Sequence, residues 1–195
     1  MCIRDSPILE DIRIYQDAIQ MIHMWAEEGP EGLTVSRMRC LHEHLLQHEP
    51  QEGARVRRNS PVHRNYQQQI CAHTQVPERL DQLFEELSHF DAHNDDVISY
   101  AAQVQHKLMF IYPYRRQPGS IARLITNQFL LAHRYPPIVV ASHERGTYYD
   151  AVAAHDATSL THLFYQSMWC MLDILPDLSE RQPRSIRRVS QRSHA

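Results

Sequence analysis

The chain has 195 residues, 43% hydrophobic and 22% charged, with a formal net charge of -3. That is enough for one domain with its own core, and too little positive charge for a general or specific nucleic-acid binder. Cys2, Cys40, Cys71 and Cys170 stand apart without a C-x-x-C pair, so reduced thiols are expected, not a disulfide framework or a zinc site.

In chain order, residues 1–6 fit no pattern downstream and resemble a translated adapter tail. They are expected to be non-native, with the natural chain starting further upstream. Arg4 and Asp5 interrupt any hydrophobic leader, and no apolar run approaches the roughly 20 residues of a membrane helix. A cytoplasmic location with no membrane partner is the expectation. Ile8, Ile12, Tyr15, Ile19, Ile22 and Trp25 form a helical stripe that ends at residues 28–32. Thr34 can cap a second helix carrying Val35, Met38, Leu41, Leu45 and Leu46.

Residues 50–61 make a polar connection with Gly53 and a basic cluster, Arg55, Arg57 and Arg58, and residues 62–76 have no clear period. Pro77 suits the first turn of a helix reading Leu80, Leu83, Phe84, Leu87 and Phe90. After a hydrophilic break at 91–96, Ile98, Ala101, Ala102, Gln105, Leu108, Met109 and Ile111 form a long helix. Another is predicted from about Ser120 to His133, and the two are expected to pack together. Residues 145–151 form a further helix, and Thr158 caps a last one whose apolar part is 160–175 and which Pro176 and Asp177 end. The domain therefore spans 7–178, followed by a basic, serine-containing tail, 179–195, expected to be disordered.

The chain is organised around residues 112–123, YPYRRQPGSIAR. Pro and Gly between two helical patterns put a turn and then a helix N-terminus at Gly119 and Ser120. Free backbone N–H groups and the positive end of the helix dipole gather there, which suits an anion. Arg115, Arg116 and Arg123 add side-chain charge.

This stretch resembles the signature loop of the Fic/Doc (Fido) family, His-Pro-Phe-x-(Asp/Glu)-Gly-Asn-Gly-Arg-x-x-Arg, aligned without a gap. Pro113, Gly119 and Arg123 match, and Tyr114 stands for Phe. The His is Tyr112, the acid Arg116, the next Gly Gln117, the Asn Pro118 and the first Arg Ser120. Flanking motifs follow in the family's order over roughly 11–170: Tyr15 and Ala18, Leu41-His42, Gly53 with the basic cluster Arg55, Arg57 and Arg58, Ala101-Ala102 with His106, Phe110 and Ile111, Asn127 with Tyr135-Pro136-Pro137, and Arg145 with Tyr148 and Ala151. The resemblance implies an all-α, Fic-like helical bundle with a short β-hairpin flap of one or two strands within 62–76.

In members with the full motif, the loop His deprotonates a target hydroxyl that attacks the α-phosphate of a nucleotide. The acid holds Mg²⁺, the Asn and glycines shape the phosphate cradle, and the arginines hold phosphate oxygens. Tyr112, with an unperturbed phenol pKa of about 10, is a poor base at neutral pH. Arg116 repels a metal, and Pro118 lacks one N–H donor. The sequence thus reads as a degenerate Fic protein lacking standard AMP transfer, with Tyr112 an inactive stand-in at the catalytic position. Arg115, Arg116, Gly119, Ser120 and Arg123 remain as an anion or nucleotide site, ATP being the family's ligand and Mg²⁺ not expected. Two alternatives stay open: a transferase with altered loop chemistry acting on a protein target, and an interaction domain whose groove takes a peptide. For Arg123 the competing account is pairing with a core carboxylate.

His44 with His48 and His89 with His93 have ligand-like helical spacing, but no Cys or carboxylate completes either pair. They read as solvated surface histidines, with no metal site expected, and His106 as a partly buried structural residue. The family's inhibitory helix, (Ser/Thr)-x-x-x-Glu-(Gly/Asn), is only superficially matched by residues 6–11; Glu10 is not expected to reach Arg123. Ser185, Ser190 and Ser193 lie among arginines, a spacing that basophilic kinases accept and that an Arg/Ser tail also produces by chance.

Overall fold

The computed structural model of the protein describes residues 7–59, 69–93, 95–154 and 156–180. Seven α-helices run through them: α1 (Pro7–Glu27), α2 (Val35–Leu45), α3 (Val76–Ser88), α4 (Val97–Ile111), α5 (Pro118–Ala132), α6 (Arg145–Ala153) and α7 (Thr158–Glu180). The fold is all-α, as expected, and the one extended pairing among the described residues is an isolated antiparallel bridge between Val56 and Tyr114. Of the stretch 62–76 expected to hold a hairpin, 62–68 lie outside the described residues, and 69–76 contain no strand. Residues 69–72 are coil and lead into a 3₁₀ turn, His73–Gln75. The tail from 181 onwards, with its three serines, also lies outside.

Helices α4 and α5 form the centre. Val97, Ile98, Ala101, Ala102, Val104, Leu108, Met109 and Ile111 bury α4 nearly all round, the pattern of a helix enclosed by neighbours. Ile121, Ala122, Leu124, Ile125, Phe129 and Leu130 do the same for α5. The two pack along each other, with α1 and α2 against α5, α3 and α7 against α4, and α6 against α7. No helix of the described residues is long and apolar enough to cross a membrane.

Local chemistry sets the helix ends. Thr34 caps α2 by accepting the Arg37 N–H at 3.2 Å, and Asp96 caps α4 through Ile98 and Ser99. Helix α5 starts two residues before the predicted Ser120. Pro118 occupies its first turn, where a missing N–H costs no intrahelical bond. Thr158 is the first residue of α7 and not its cap; its N–H donates to Asp156 at 2.9 Å. Helix α7 also continues past the predicted stop at Pro176 to Glu180. Pro176, which lacks an N–H, thus lies within the helix and does not end it.

Gly32 joins three elements. Its carbonyl accepts from Gln128 of α5 at 2.8 Å and from Arg37 of α2 at 3.2 Å. A Cβ there would lie 2.4 Å from the Trp25 carbonyl oxygen of α1, which is backbone and cannot turn aside. Gly32→Ala should therefore destabilise the protein by about 1–3 kcal/mol, read as a fall in urea midpoint with an unchanged slope. Midpoints that coincide would refute this account of the junction.

Candidate functional site

The loop between α4 and α5 is held at its entrance by a buried cation. Arg57 is 4% exposed. Its Nε donates to the Tyr112 carbonyl at 2.7 Å, Nη1 to Asn59 at 3.1 Å, and Nη2 to Cys71 at 2.6 Å and Ile111 at 3.2 Å. The Arg57 N–H donates to the Pro113 carbonyl at 3.0 Å, and the Cys71 N–H to Phe110 at 3.0 Å. The carbonyls of Phe110, Ile111, Tyr112 and Pro113 belong to the last turn of α4 and the start of the loop, where the helix leaves them without intrahelical donors. No described carboxylate forms an ion pair with Arg57.

Behind the loop, the His42 ring stacks on Tyr114 with centroids 3.7 Å apart and planes 8° from parallel. The Ala54 N–H donates to His42 Nδ1 at 2.9 Å. Nε2 must therefore carry the proton, and it donates to the Arg116 carbonyl at 3.0 Å. Burial lowers the pKa of His42 below its usual value, against a smaller opposing effect of the Arg116 carbonyl. The Tyr114 hydroxyl is buried without a partner, so Tyr114 acts here through its ring and not through its oxygen.

The predicted site residues separate into two groups. Tyr112 takes a left-handed conformation (φ 48°) at the end of α4 and is 3% exposed. Burial pushes its phenol up to about 12 despite the nearby Arg57. Arg115 points to solvent, and the Arg116 guanidinium turns away to pair with Glu49 beyond α2. These three do not converge.

Gly119, Ser120 and Arg123 do. Gln117, also left-handed (φ 52°), precedes α5 without capping it, and its amide oxygen accepts from the Ser120 hydroxyl at 2.8 Å. Arg123 folds back over this first turn, the direction helical side chains take. Its Nη2 lies 3.4 Å from Ser120 Oγ, and its Nη1 would lie 3.4 Å from a Cβ on Gly119. The guanidinium also bonds the hydroxyls of Tyr15 and Tyr148.

Arg123 forms part of the wall of a cleft of about 580 Å³, with Tyr15, Asn127, Arg145, Tyr148 and Tyr149 among the other lining residues. Arg145 lies over the Tyr149 ring at 5.5 Å. Behind the wall, the Thr126 hydroxyl donates to Gln105 at 2.9 Å and the Gln105 amide donates to Tyr148 at 2.6 Å. Asn127 exchanges two hydrogen bonds with the backbone of Ile138, at 2.8 and 3.1 Å.

The remaining candidates have structural partners. His44 bonds the Ile14 carbonyl at 3.1 Å, His89 the Glu85 carbonyl at 2.8 Å, and His106 the Ala154 carbonyl at 3.0 Å. Glu10 faces His48 at 3.4 Å and forms no ion pair with Arg123. Arg57 stands in the sequence as one arginine of a surface-like cluster. Nothing in the sequence separates it from Arg55 and Arg58 or shows that it is buried. Tyr15 and Gln105 occupy apolar stripes, so their polar ends give no signal.

A family model described as the Fic/DOC family matches residues 32–130. The protein adenylyltransferase Fic of Aedes aegypti is 27% identical over 141 residues, 68% of this chain and 26% of its own length. That of Nematostella vectensis is 24% identical over 163 residues, 77% and 35%. The chain thus spans about a quarter to a third of these curated relatives. The solved structure of Fic-1 (aa134–508) from C. elegans superposes with a TM-score of 0.75 at 20% identity, over 93% of this chain and 56% of that one, a likeness of fold.

The supports of the loop give two expected outcomes. Arg57→Met should cost roughly 3 kcal/mol or more, because several buried carbonyls lose their donors together, and hydrogen exchange should quicken at 110–114; protection equal to wild type would contradict this. For His42, the unfolded chain takes up the proton near pH 6.5 and the folded chain only below that. The unfolded state therefore binds more protons in this window, and stability falls as pH drops through and below about 6.5. Urea midpoints from pH 8 to 5 should fall less steeply for His42→Gln than for wild type.

Proposed function

Since the chain belongs to the Fic/DOC family, we propose that it is a degenerate Fic protein that binds a phosphate-type anion or nucleotide as a binding or regulatory module and lacks standard AMP transfer. The observation carrying this is Arg123, a half-buried guanidinium on a helix N-terminus and a cleft wall. Its bonds go to the neutral hydroxyls of Tyr15, Tyr148 and Ser120, and no described carboxylate pairs with it. Unlike Arg57, which is enclosed and spends its donors on backbone carbonyls, Arg123 lines an open cleft with its charge unmatched by a described carboxylate.

The catalytic positions support loss of transfer. A base must give up its own proton before taking one from a target hydroxyl, and Tyr112, with its phenol near 12, keeps that proton at neutral pH. Its burial also withdraws it from an incoming hydroxyl. Mg²⁺ does not fit the residues present, because the metal-holding position carries Arg116, whose charge repels a cation and is matched by Glu49. Pro118 offers no N–H, so the first turn of α5 presents Gly119 and Ser120 as backbone donors. The curated relatives are named protein adenylyltransferases; this domain keeps their fold and one arm of their phosphate grip.

Wild type and Tyr112→His should both leave protein hydroxyls unlabelled with α-labelled ATP and Mg²⁺, since restoring the base does not restore the metal. ATP should still bind weakly and about equally with or without Mg²⁺. Arg123→Ala should weaken it about tenfold, as loss of charge-assisted bonds does, and added salt should weaken it too. Label incorporated by wild type and abolished in Tyr112→Phe would establish an active transferase with altered chemistry. No anion binding at low salt would favour a peptide-binding groove.

A further inference from the structure

Helix α7 runs antiparallel to α4. Gln103 and His106 of α4 line a groove with Thr158 and His162 of α7, and Tyr165 then donates its hydroxyl to Asp96, the cap at the start of α4. From Tyr165 to its end at Glu180, α7 therefore runs on past the start of α4 by about 22 Å, at 1.5 Å per residue. Leu160, Leu163, Phe164 and Met168 bury one face of its first half. A second face is exposed without being polar. Tyr165, Trp169 and Leu172, at i, i+4 and i+7, form one stripe and are 42%, 70% and 47% exposed. Trp169 is the most exposed large apolar side chain among the described residues. No Lys, Arg, Asp or Glu stands between Thr158 and Leu172. An aromatic surface depleted of charge has the composition of an interface core, not of a solvated helix.

We propose that this stripe is the interface of a symmetric homodimer, in which the α7 helices of two copies pack antiparallel about Leu172. The charges around the stripe favour a second copy. Asp91, Asp95 and Asp96 are exposed at the turn beside Tyr165. The sequence that follows Glu180 carries Arg181, Arg184, Arg187, Arg188 and Arg192 and no acid. Within one copy the acidic turn and the end of α7 lie at opposite ends of the stripe, about 22 Å apart. A twofold axis at Leu172 sets Tyr165 of each copy beside Ser179 of the other. Each acidic turn then meets the end of the partner's α7, which the arginines follow in sequence, and the symmetry makes this match twice. A negatively charged membrane fits the stripe less well, because the three aspartates beside it are repelled by anionic lipid. The dimer is independent of the anion site in the cleft.

Sedimentation velocity of the full chain at micromolar concentrations should show a dimer exchanging with monomer. Trp169→Glu should weaken association at least tenfold, as loss of a central aromatic anchor does; should it fail to fold, Leu172→Ser reports on the same contact. Asp95→Arg should weaken association several-fold at low salt and less at high salt, because its effect is one of charge. Met24→Glu changes a comparably exposed apolar side chain on α1 and should leave the dimer as it is. A chain that stays monomeric even at millimolar concentration overturns the proposal. So does a dimer that Trp169→Glu and Leu172→Ser leave intact, since its interface lies elsewhere. Asp95→Arg that dimerises like wild type at low salt overturns the antiparallel arrangement. A monomer that sediments with phosphatidylserine vesicles, and ceases to in Trp169→Glu, would replace the second copy with a membrane surface.

Discussion

A single guanidinium sets the frame of this molecule. Arg57 distributes its donors over carbonyls at the end of α4, the start of the loop and the extended segment at Cys71, while its neighbour Val56 bridges to Tyr114. Burying a charge is unfavourable unless hydrogen bonds replace its lost hydration, and the exposed end of a helix offers several acceptors in one place. The cation thereby ties three segments far apart in sequence. Because its partners are backbone atoms, the tie does not depend on which side chains the loop carries.

That independence lets the loop follow this path whatever side chains residues 115–118 carry. His42 holds it from behind through one carbonyl and one aromatic stack, again with little reference to residues 115–118. The two halves of the loop then behave differently. Its entrance is buried, left-handed at Tyr112 and neutral in its side chains. Its exit becomes the first turn of α5, where Arg123, two backbone donors and the cleft lie side by side.

Much of the fold was legible in the sequence, because apolar spacing and caps act locally. The stripes of α1 to α5 and the cap at Thr34 each depend on residues within one or two turns. The sequence puts the start of α5 two residues late, since Pro118 reads as a loop residue although the first helical turn is where proline fits best. Thr158 differs for another reason: the helix begins at Thr158 itself, with its N–H held by the Asp156 carboxylate, and only the path of the chain decides that. In the candidate site, Gly119, Ser120 and Arg123 could be grouped by spacing along one helix. The outward turn of Arg116 to Glu49 could not, since their pairing spans 67 positions. Nor could the burial of Arg57, whose partners are backbone groups that every residue possesses and no sequence distinguishes.

The crowded carbonyl of Gly32 bears on how the cleft can move. Helix α1, which carries Tyr15 into the cleft, is fixed at its far end against α5 through the contact at Gly32 that no side chain can enter. Arg37 adds a second brace, joining Glu28 at 2.5 Å while its guanidinium covers the Trp25 ring. Tyr15 and Arg123 therefore travel together, as one jaw. The opposing jaw is the segment 138–145, held to α5 by Asn127 and to α7 by Ser167, whose hydroxyl contacts Val139 at 3.1 and 3.4 Å. Both walls of the cleft are thus referred to one helix, α5, which α1 reaches through Gly32 and the segment 138–145 through Asn127.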